Sequence, residues 1–231
     1  MIAAIHQPQY LPWLGYFDKM DQAGCFVLLD NVQYKRREWQ NRNRIKTAGG
    51  VQWLTVPVSG EYLALINAVV VEQGENWRHK HLESLRHAYH RAACWPQAAA
   101  SLEAFFGSSW ARLSQANAAS IDWLRGQLGI TTSLRWASEM AGLSEDPTGR
   151  LVDICRAVGA DTYLSGVDGA NYMDLDQFAA AGIGVIFQHY EHPVYPQLHG
   201  EFASHLSALD LVLNCGSRSL EILRSGRRNA T

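Results

Sequence analysis

The chain has little charge excess of either sign. Lys and Arg total 20 against 22 Asp and Glu, a formal net charge of -2 over 231 residues. That balance gives no basic surplus to drive sequence-independent nucleic-acid binding, so no nucleic-acid partner is expected. Cysteine is sparse, and the four present (Cys25, Cys94, Cys155, Cys215) form no CxxC pair. A zinc ribbon or thioredoxin-type site is therefore not expected, and no metal is assigned. No apolar run approaches the ~20 residues that span a bilayer. The opening MIAAIHQPQYLPW has no basic stretch and does not read as a secretory leader. These absences point to a cytoplasmic protein with reduced thiols and no membrane span. Internal repeats and low-complexity segments are also missing. With 47% hydrophobic and 18% charged residues, the composition excludes disordered, collagenous and coiled-coil chains.

What is present reads as α/β. Ile2–Ile5 is a short buried strand, closed by a loop that two prolines shape, His6-Gln7-Pro8-Gln9-Tyr10-Leu11-Pro12-Trp13. Residues 14–23 carry Leu14, Phe17 and Met20 at helical spacing, with Gly24 as the expected cap. Cys25–Leu29 is a second apolar strand ending in Asp30. Strand, helix, strand makes a βαβ unit with parallel strands, so His6 and Asp30 share the carboxyl edge of the sheet. Open α/β sheets bind ligands there. Residues 44–58 read as a hairpin, 65–71 as a strand, and about 76–136 as a helical insert. A second strand–helix part follows, with strands at Thr162–Leu164 and Gly184–Gln188. The basic segment Arg224–Thr231 reads as a frayed tail. The expected architecture is one α/β domain over residues 1–231, with a mostly parallel, Rossmann-like central sheet and a helical insert.

Polar residues follow each buried run: His6 and Gln7, Asp30 and Asn31, Ser165 and Gly166, Gln188 and His189. Four such placements point to one cleft lined with hydrogen-bonding groups. His6 is the candidate acid/base, since an imidazole titrates near neutral pH. Its ordinary alternative is a histidine that holds its own loop. Asp30 is the candidate to orient it. The cationic run Lys35–Lys46 offers Arg36, Arg37, Arg42 and Arg44, whose forks match phosphate or carboxylate oxygens. Asn41 and Asn43 flank Arg42 as polar ligands, and a lid closing on an anion is one reading. A solvated charged face is the other. Trp13 is placed to stack on a sugar or base. Cys155 lies on an apolar helix face and reads as core. His87 and His90 share a helical face, but no acidic third ligand accompanies them.

Long stretches resemble the WbqC-like protein family: HQPQYLPWLGYFDKM, FVLLDNVQYKRREWQNRNRIK, WLTVPV, WRHKHLESLRHAY, RLVDICRAVGADTYLSG, NYMDLDQF, FQHYEHPVYPQ and LSALDLVLNCG. The resemblance runs from residue 2 to about 216. It implies a role in assembling surface polysaccharides such as O-antigen, or natural products. The implied reaction moves an acyl or aminoacyl group from a carrier-protein thioester, held on a phosphopantetheine arm, to an amine. The matching positions are His6, Gln7, Trp13, Asp30, Asn41, Arg42, Asn43, Ser165, Gly166, Tyr172, Gln188, Tyr195 and Gln197. Cys25 departs from the family pattern, which speaks against it as a nucleophile. The reaction needs no cofactor. A looser likeness is to nucleotidylyltransferases and pantoate ligases, which also open on strand, histidine loop, helix and strand. Their second HxGH-type histidine is missing, since Tyr10 and Trp13 follow His6. Adenylate or nucleotidyl transfer with ATP, and a non-catalytic glycan-precursor binding module, stand as the alternatives.

Overall fold

A computed structural model describes residues 1–61, 63–74 and 76–228. In chain order the strands are β1 (Ile2–His6), β2 (Cys25–Leu28), β3 (Arg42–Thr47), β4 (Gly50–Thr55), β5 (Val58–Ser59), β6 (Val70–Val71), β7 (Ser133–Trp136), β8 (Thr162–Ser165), β9 (Gly184–Phe187), β10 (His189–Tyr190) and β11 (Arg227–Arg228). The α-helices are α1 (Leu14–Asp21), α2 (Trp77–Tyr89), α3 (Trp95–Gly107), α4 (Leu113–Leu128), α5 (Pro147–Ala157), α6 (Leu175–Ala180), α7 (Ala208–Cys215) and α8 (Ser219–Ser225).

Five strands form one all-parallel sheet in the order β7-β2-β1-β8-β9. With helices on both faces, this is the Rossmann-like α/β fold that the sequence pattern implies. Period-two alternation divides the strand side chains between two cores. Ala4, Phe26, Leu28 and Leu164 face one with Leu14, Phe17 and Met20 of α1 and with α2, α3, α4 and α7. Ala3, Ile5, Cys25, Val27 and Tyr163 face the other with Leu151, Ile154 and Cys155 of α5 and Phe178 of α6. Cys155 is fully buried there, and desolvation pushes its thiol up to about 12. It is packing, not a nucleophile.

β1 lies at the centre. The chain builds outward from it on one side through β2 and β7, then crosses to the other side for β8 and β9. The direction of winding therefore reverses between β1 and β8. At such a point the loops leaving the two strands diverge, and a crevice opens at the carboxyl ends.

Several expectations need correction. Ser133–Trp136, placed at the end of the helical insert, is instead the edge strand of the sheet. The span 65–71 is a 3₁₀ turn (Ile66–Ala68) followed by the two-residue β6, which pairs with β5. Gly24 is not the cap of α1. Gln22 is, and the Gly24 amide donates to the Ile2 carbonyl at 2.9 Å. The basic tail is anchored: Arg227 pairs with Asp18 (2.9 Å) and Asp21 (2.7 Å), Arg224 with Asp21 (2.8 Å) and Arg228 with Glu191 (2.8 Å). Residues 229–231, the end of that expected frayed tail, lie outside the described residues.

Candidate functional site

His6 ends β1 at the reversal point, and the proline loop after it is fixed from several sides. Asn117 of α4 donates to the Pro8 carbonyl (3.0 Å) and the Gln40 carbonyl (2.7 Å). The Leu11 amide donates to Ser120 Oγ (3.0 Å), and Asn43 donates to the Leu11 carbonyl (2.7 Å). Tyr10 OH meets His81 Nδ1 of α2 at 3.0 Å, and the Ala208 amide of α7 reaches the Pro12 carbonyl at 2.8 Å. These bonds hold Leu11 at φ +44°, where a leucine is strained by ~1–2 kcal/mol. A loop over-determined in this way sets His6 and Trp13 rigidly. Gly15 completes the placement, because a Cβ there would fall 2.3 Å from the Trp13 indole.

Two small cavities open beside His6. One, about 240 Å³, is walled by Ile5, Gln7, Leu29, Leu151, Tyr163 and Tyr172. The other, about 280 Å³, is walled by Trp13, Gly15, Tyr16, Val167, Gln188 and Tyr190. His6, Lys19, Gly166 and Asp168 line both, so the cavities adjoin along that row. The His6 Nδ1 bonds to the Gln7 carbonyl at 3.0 Å. A carbonyl only accepts, so Nδ1 carries the proton and Nε2 keeps its lone pair. Burial, then the Lys19 charge, lowers the imidazole to about 3, which keeps it neutral at physiological pH. Its ring lies 4.7 Å from that of Tyr16. Lys19 is 3% exposed, donates to the Ile5 carbonyl at 2.9 Å and sits 5.7 Å from the centre of the Tyr163 ring. Desolvation brings its ammonium down to about 7. A neutral imidazole, a buried amine and a rim carboxylate thus meet where two chambers join. This arrangement can accept and relay a proton between two bound molecules.

Of the sequence-predicted residues, His6, Gln7, Trp13, Gly166, Tyr172 and Gln188 come together here. Gln188 also braces the site, donating to the Gly15 carbonyl (2.9 Å) and Asp18 Oδ2 (2.7 Å). The others lie elsewhere. Asp30 follows β2 on the far side of β1. Its carboxylate accepts from the Ser138 amide (3.0 Å) and hydroxyl (2.7 Å), which closes the turn after β7 rather than orienting His6. Asn31 joins the same turn through the Ala137 carbonyl (3.4 Å). Ser165 is buried, with its hydroxyl toward Met173 Sδ (3.9 Å), and a Cβ on Gly169 would collide with it at 2.0 Å. Tyr195 is buried beside Asp210, whose Oδ2 accepts from Tyr89. Gln197 staples its own loop to the Ala203 amide (2.9 Å) and carbonyl (3.0 Å).

The cationic run is a built hairpin, not a lid over residues 42–46. Strand alternation turns Asn41, Asn43 and Ile45 inward and Arg42 and Arg44 outward. Asn41 donates to the Val56 carbonyl at 3.0 Å, and Arg42 lies 4.3 Å over the Trp53 ring. Arg36 and Arg37 are exposed in the preceding bend. That bend is tied to the cavity wall, since Gln40 donates to Gln7 Oε1 at 2.6 Å and accepts from the Lys35 amide at 2.9 Å.

Sequence reasoning missed Lys19. A lysine on a short helix is ordinarily solvated, but every residue from Leu14 to Met20 of α1 is buried. Asp168 sits in the 3₁₀ turn Val167–Asn171 after β8, which brings it to both cavities. A larger depression, about 650 Å³, lies between the hairpin turn and α2. Thr47 bonds there to the Gly50 carbonyl and Gln52 to Ser84, and none of the described residues that line it belongs to the parallel sheet. Among the described residues, no group of three or more His, Cys, Asp or Glu could hold a metal ion.

Comparison with known proteins agrees with the motif pattern. A profile described as the WbqC-like protein family matches residues 7–222. "Uncharacterized protein Rv1507c" of Mycobacterium tuberculosis (strain ATCC 25618 / H37Rv) is 35% identical over 231 residues, spanning 97% of this chain and 98% of the relative. No solved structure matches. The extent of the profile match and the near full-length relative establish that the chain belongs to the WbqC-like protein family.

Proposed function

We propose that the protein is an amide-forming acyl or aminoacyl transferase. The donor is an acyl or aminoacyl thioester on the phosphopantetheine arm of a carrier protein. The acceptor is an amine, such as an amino sugar, in surface-polysaccharide or natural-product assembly in the cytoplasm. The observation that carries the reading is the pair of small chambers meeting at His6. A two-substrate transfer needs two bound molecules whose reacting atoms come together beside one proton carrier.

The acceptor nitrogen attacks the thioester carbonyl, and the C–S bond breaks as the C–N bond forms. The amine loses one proton and the departing thiolate gains one, so the balance closes without a cofactor. His6 Nε2 accepts that proton as the adduct forms and returns it to the sulfur. Burial holds the imidazole at about 3, so it is neutral at physiological pH with its lone pair free, and a weaker base than an ordinary histidine. The exposed Arg36 and Arg37, on the bend tied to Gln7, offer cations to the phosphate of the carrier arm.

The test is product formation. The purified protein is incubated with acyl and aminoacyl carrier thioesters and a panel of amines, and amides are sought by mass spectrometry. His6→Ala is expected to slow the reaction by roughly 10²–10⁴-fold while the folded state persists. Failure to make an amide with any pairing would sink the reading. A melting-temperature shift with ATP or CTP, in the absence of amide formation, would move the assignment to nucleotidyl transfer.

A further inference from the structure

The relay just described leaves Lys19 without a purpose. It is among the most costly side chains to bury, and at 3% exposure it has no ion-pair partner among the described residues. The carboxylates nearest in sequence are committed: Asp18 to Arg227 and Gln188, and Asp21 to Arg224 and Arg227. A single carbonyl accepts from its ammonium, which has three protons to donate. Lys19 lines both chambers, and Asp168 lines them too.

We propose that the amine acceptor also carries a carboxylate, as a free amino acid or an amino-uronic sugar does, and that Lys19 is the counter-ion for it. Asp168 at the rim receives the amine end, and His6 lines the same two chambers. This rests on the amide-forming reading and narrows its acceptor. One buried lysine matches one negative charge. A phosphate dianion calls for a fork or a second cation, and Arg36, Arg37 and Arg42 are not among the cavity walls. The chambers, at about 240 and 280 Å³, fall below the usual ~300–1,000 Å³ of drug-sized sites, so the ligand is small. Leu29, Leu151, Tyr163 and Tyr172 give it an apolar wall. Desolvation holds the empty Lys19 near 7, and an arriving carboxylate restores the full charge.

The experiment compares carboxylates with their neutralised counterparts by calorimetry and thermal shift. The probes are leucine and phenylalanine against their methyl esters, and glucosaminuronic acid against glucosamine. The free acids of one pair or both are expected to bind, and to lose roughly 10–100-fold in affinity in Lys19→Met. The ligand-free Lys19→Met protein is expected to melt about 2–8 °C higher, because a buried unpaired cation has become a thioether. A lysine kept for structure would give a lower melting temperature instead. Lys19→Gln, which keeps a donor for the Ile5 carbonyl, serves the same comparison if the methionine variant fails to fold. Equal binding of acids and their neutral counterparts, or unchanged acid affinity in the variants, would overturn the proposal. Amide made readily from glucosamine, with the Lys19 variants as active as wild type, would remove the carboxylate and leave acyl transfer standing. Lys19-dependent acid binding with no amide product would keep the carboxylate site and remove the transferase.

Discussion

The hairpin β3–β4 and the crevice between β1 and β8 carry equally conspicuous polar residues, yet the fold uses them in opposite ways. In the hairpin, Asn43 Nδ2 donates to the carbonyls of Tyr10 (3.3 Å) and Leu11 (2.7 Å), and its Oδ1 accepts from the Arg44 amide (2.8 Å). Asn41 bridges to Val56 in the same manner. Both side-chain amides are spent on backbone carbonyls, and Arg42 and Arg44 lie over a tryptophan ring. What is left over, Asn41 Oδ1 and the two Nε atoms, is buried inside the hairpin rather than at a cavity lined by His6. In the crevice, His6 spends one nitrogen on its own loop and Lys19 spends one proton on a carbonyl. Both residues line the cavities with hydrogen-bonding capacity to spare. Polar residues that have satisfied one another hold a fold, whereas polar residues left with capacity at a cavity are available to a ligand.

The sharpest way to break this comparison is Asn43→Leu. The change removes an amide that serves three backbone groups while roughly keeping volume, and the expected loss is about 3 kcal/mol in urea unfolding. The midpoint should fall with the slope unchanged. A loss below ~0.5 kcal/mol, accompanied by a fall in ligand binding, would return Asn43 to the ligand.

The sheet and its reactive edge were legible because apolar runs and the proline-shaped loop mark where strands stop. His6, Gly166 and Gln188 each follow a buried run, and all three reach the crevice. Asp30 follows one as well but lies on the other side of β1, and strand order, which no local pattern encodes, decides that. The Asn41-Arg42-Asn43 triplet misled for a different reason. Alternating polar residues look the same whether their inward partners are substrate atoms or the carbonyls of a distant loop. Lys19 left no local trace, since its burial comes from the packing of α1 against the sheet, where it meets the Ile5 carbonyl and the Tyr163 ring.

Acid titration tests both regions at once. Burial lowers His6 to about 3 and His81, which holds the proline loop through Tyr10, to about 4. Each takes up a proton near 6.5 when unfolded, so between that value and its folded pKa the unfolded state binds more protons. Stability therefore falls as pH drops from about 6.5, on the order of 3 kcal/mol for each histidine by pH 4. His6 faces Lys19 and Tyr16, whereas His81 faces Tyr10, Trp77 and Phe106. His6→Gln and His81→Gln should each flatten part of the limb. Lys19 acts at the other end: stability should rise from pH 7 toward 10.5, and Lys19→Met should abolish that rise.

Arg42→Ala gives the smallest effect and the finest discrimination. The guanidinium lies 4.3 Å over the Trp53 ring and donates to the Arg37 carbonyl, at a half-exposed site where such stacking contributes about 0.5–1 kcal/mol. Stability should drop by that amount, with amide formation within about twofold of wild type. Arg42→Lys should recover only part of the loss, because an ammonium cannot lie flat on the indole. If Arg42 instead clamps the phosphate of the carrier arm, the pattern inverts: stability stays level while the KM for the carrier thioester rises by tenfold or more. The two outcomes separate a residue spent on its own fold from one held ready for a partner.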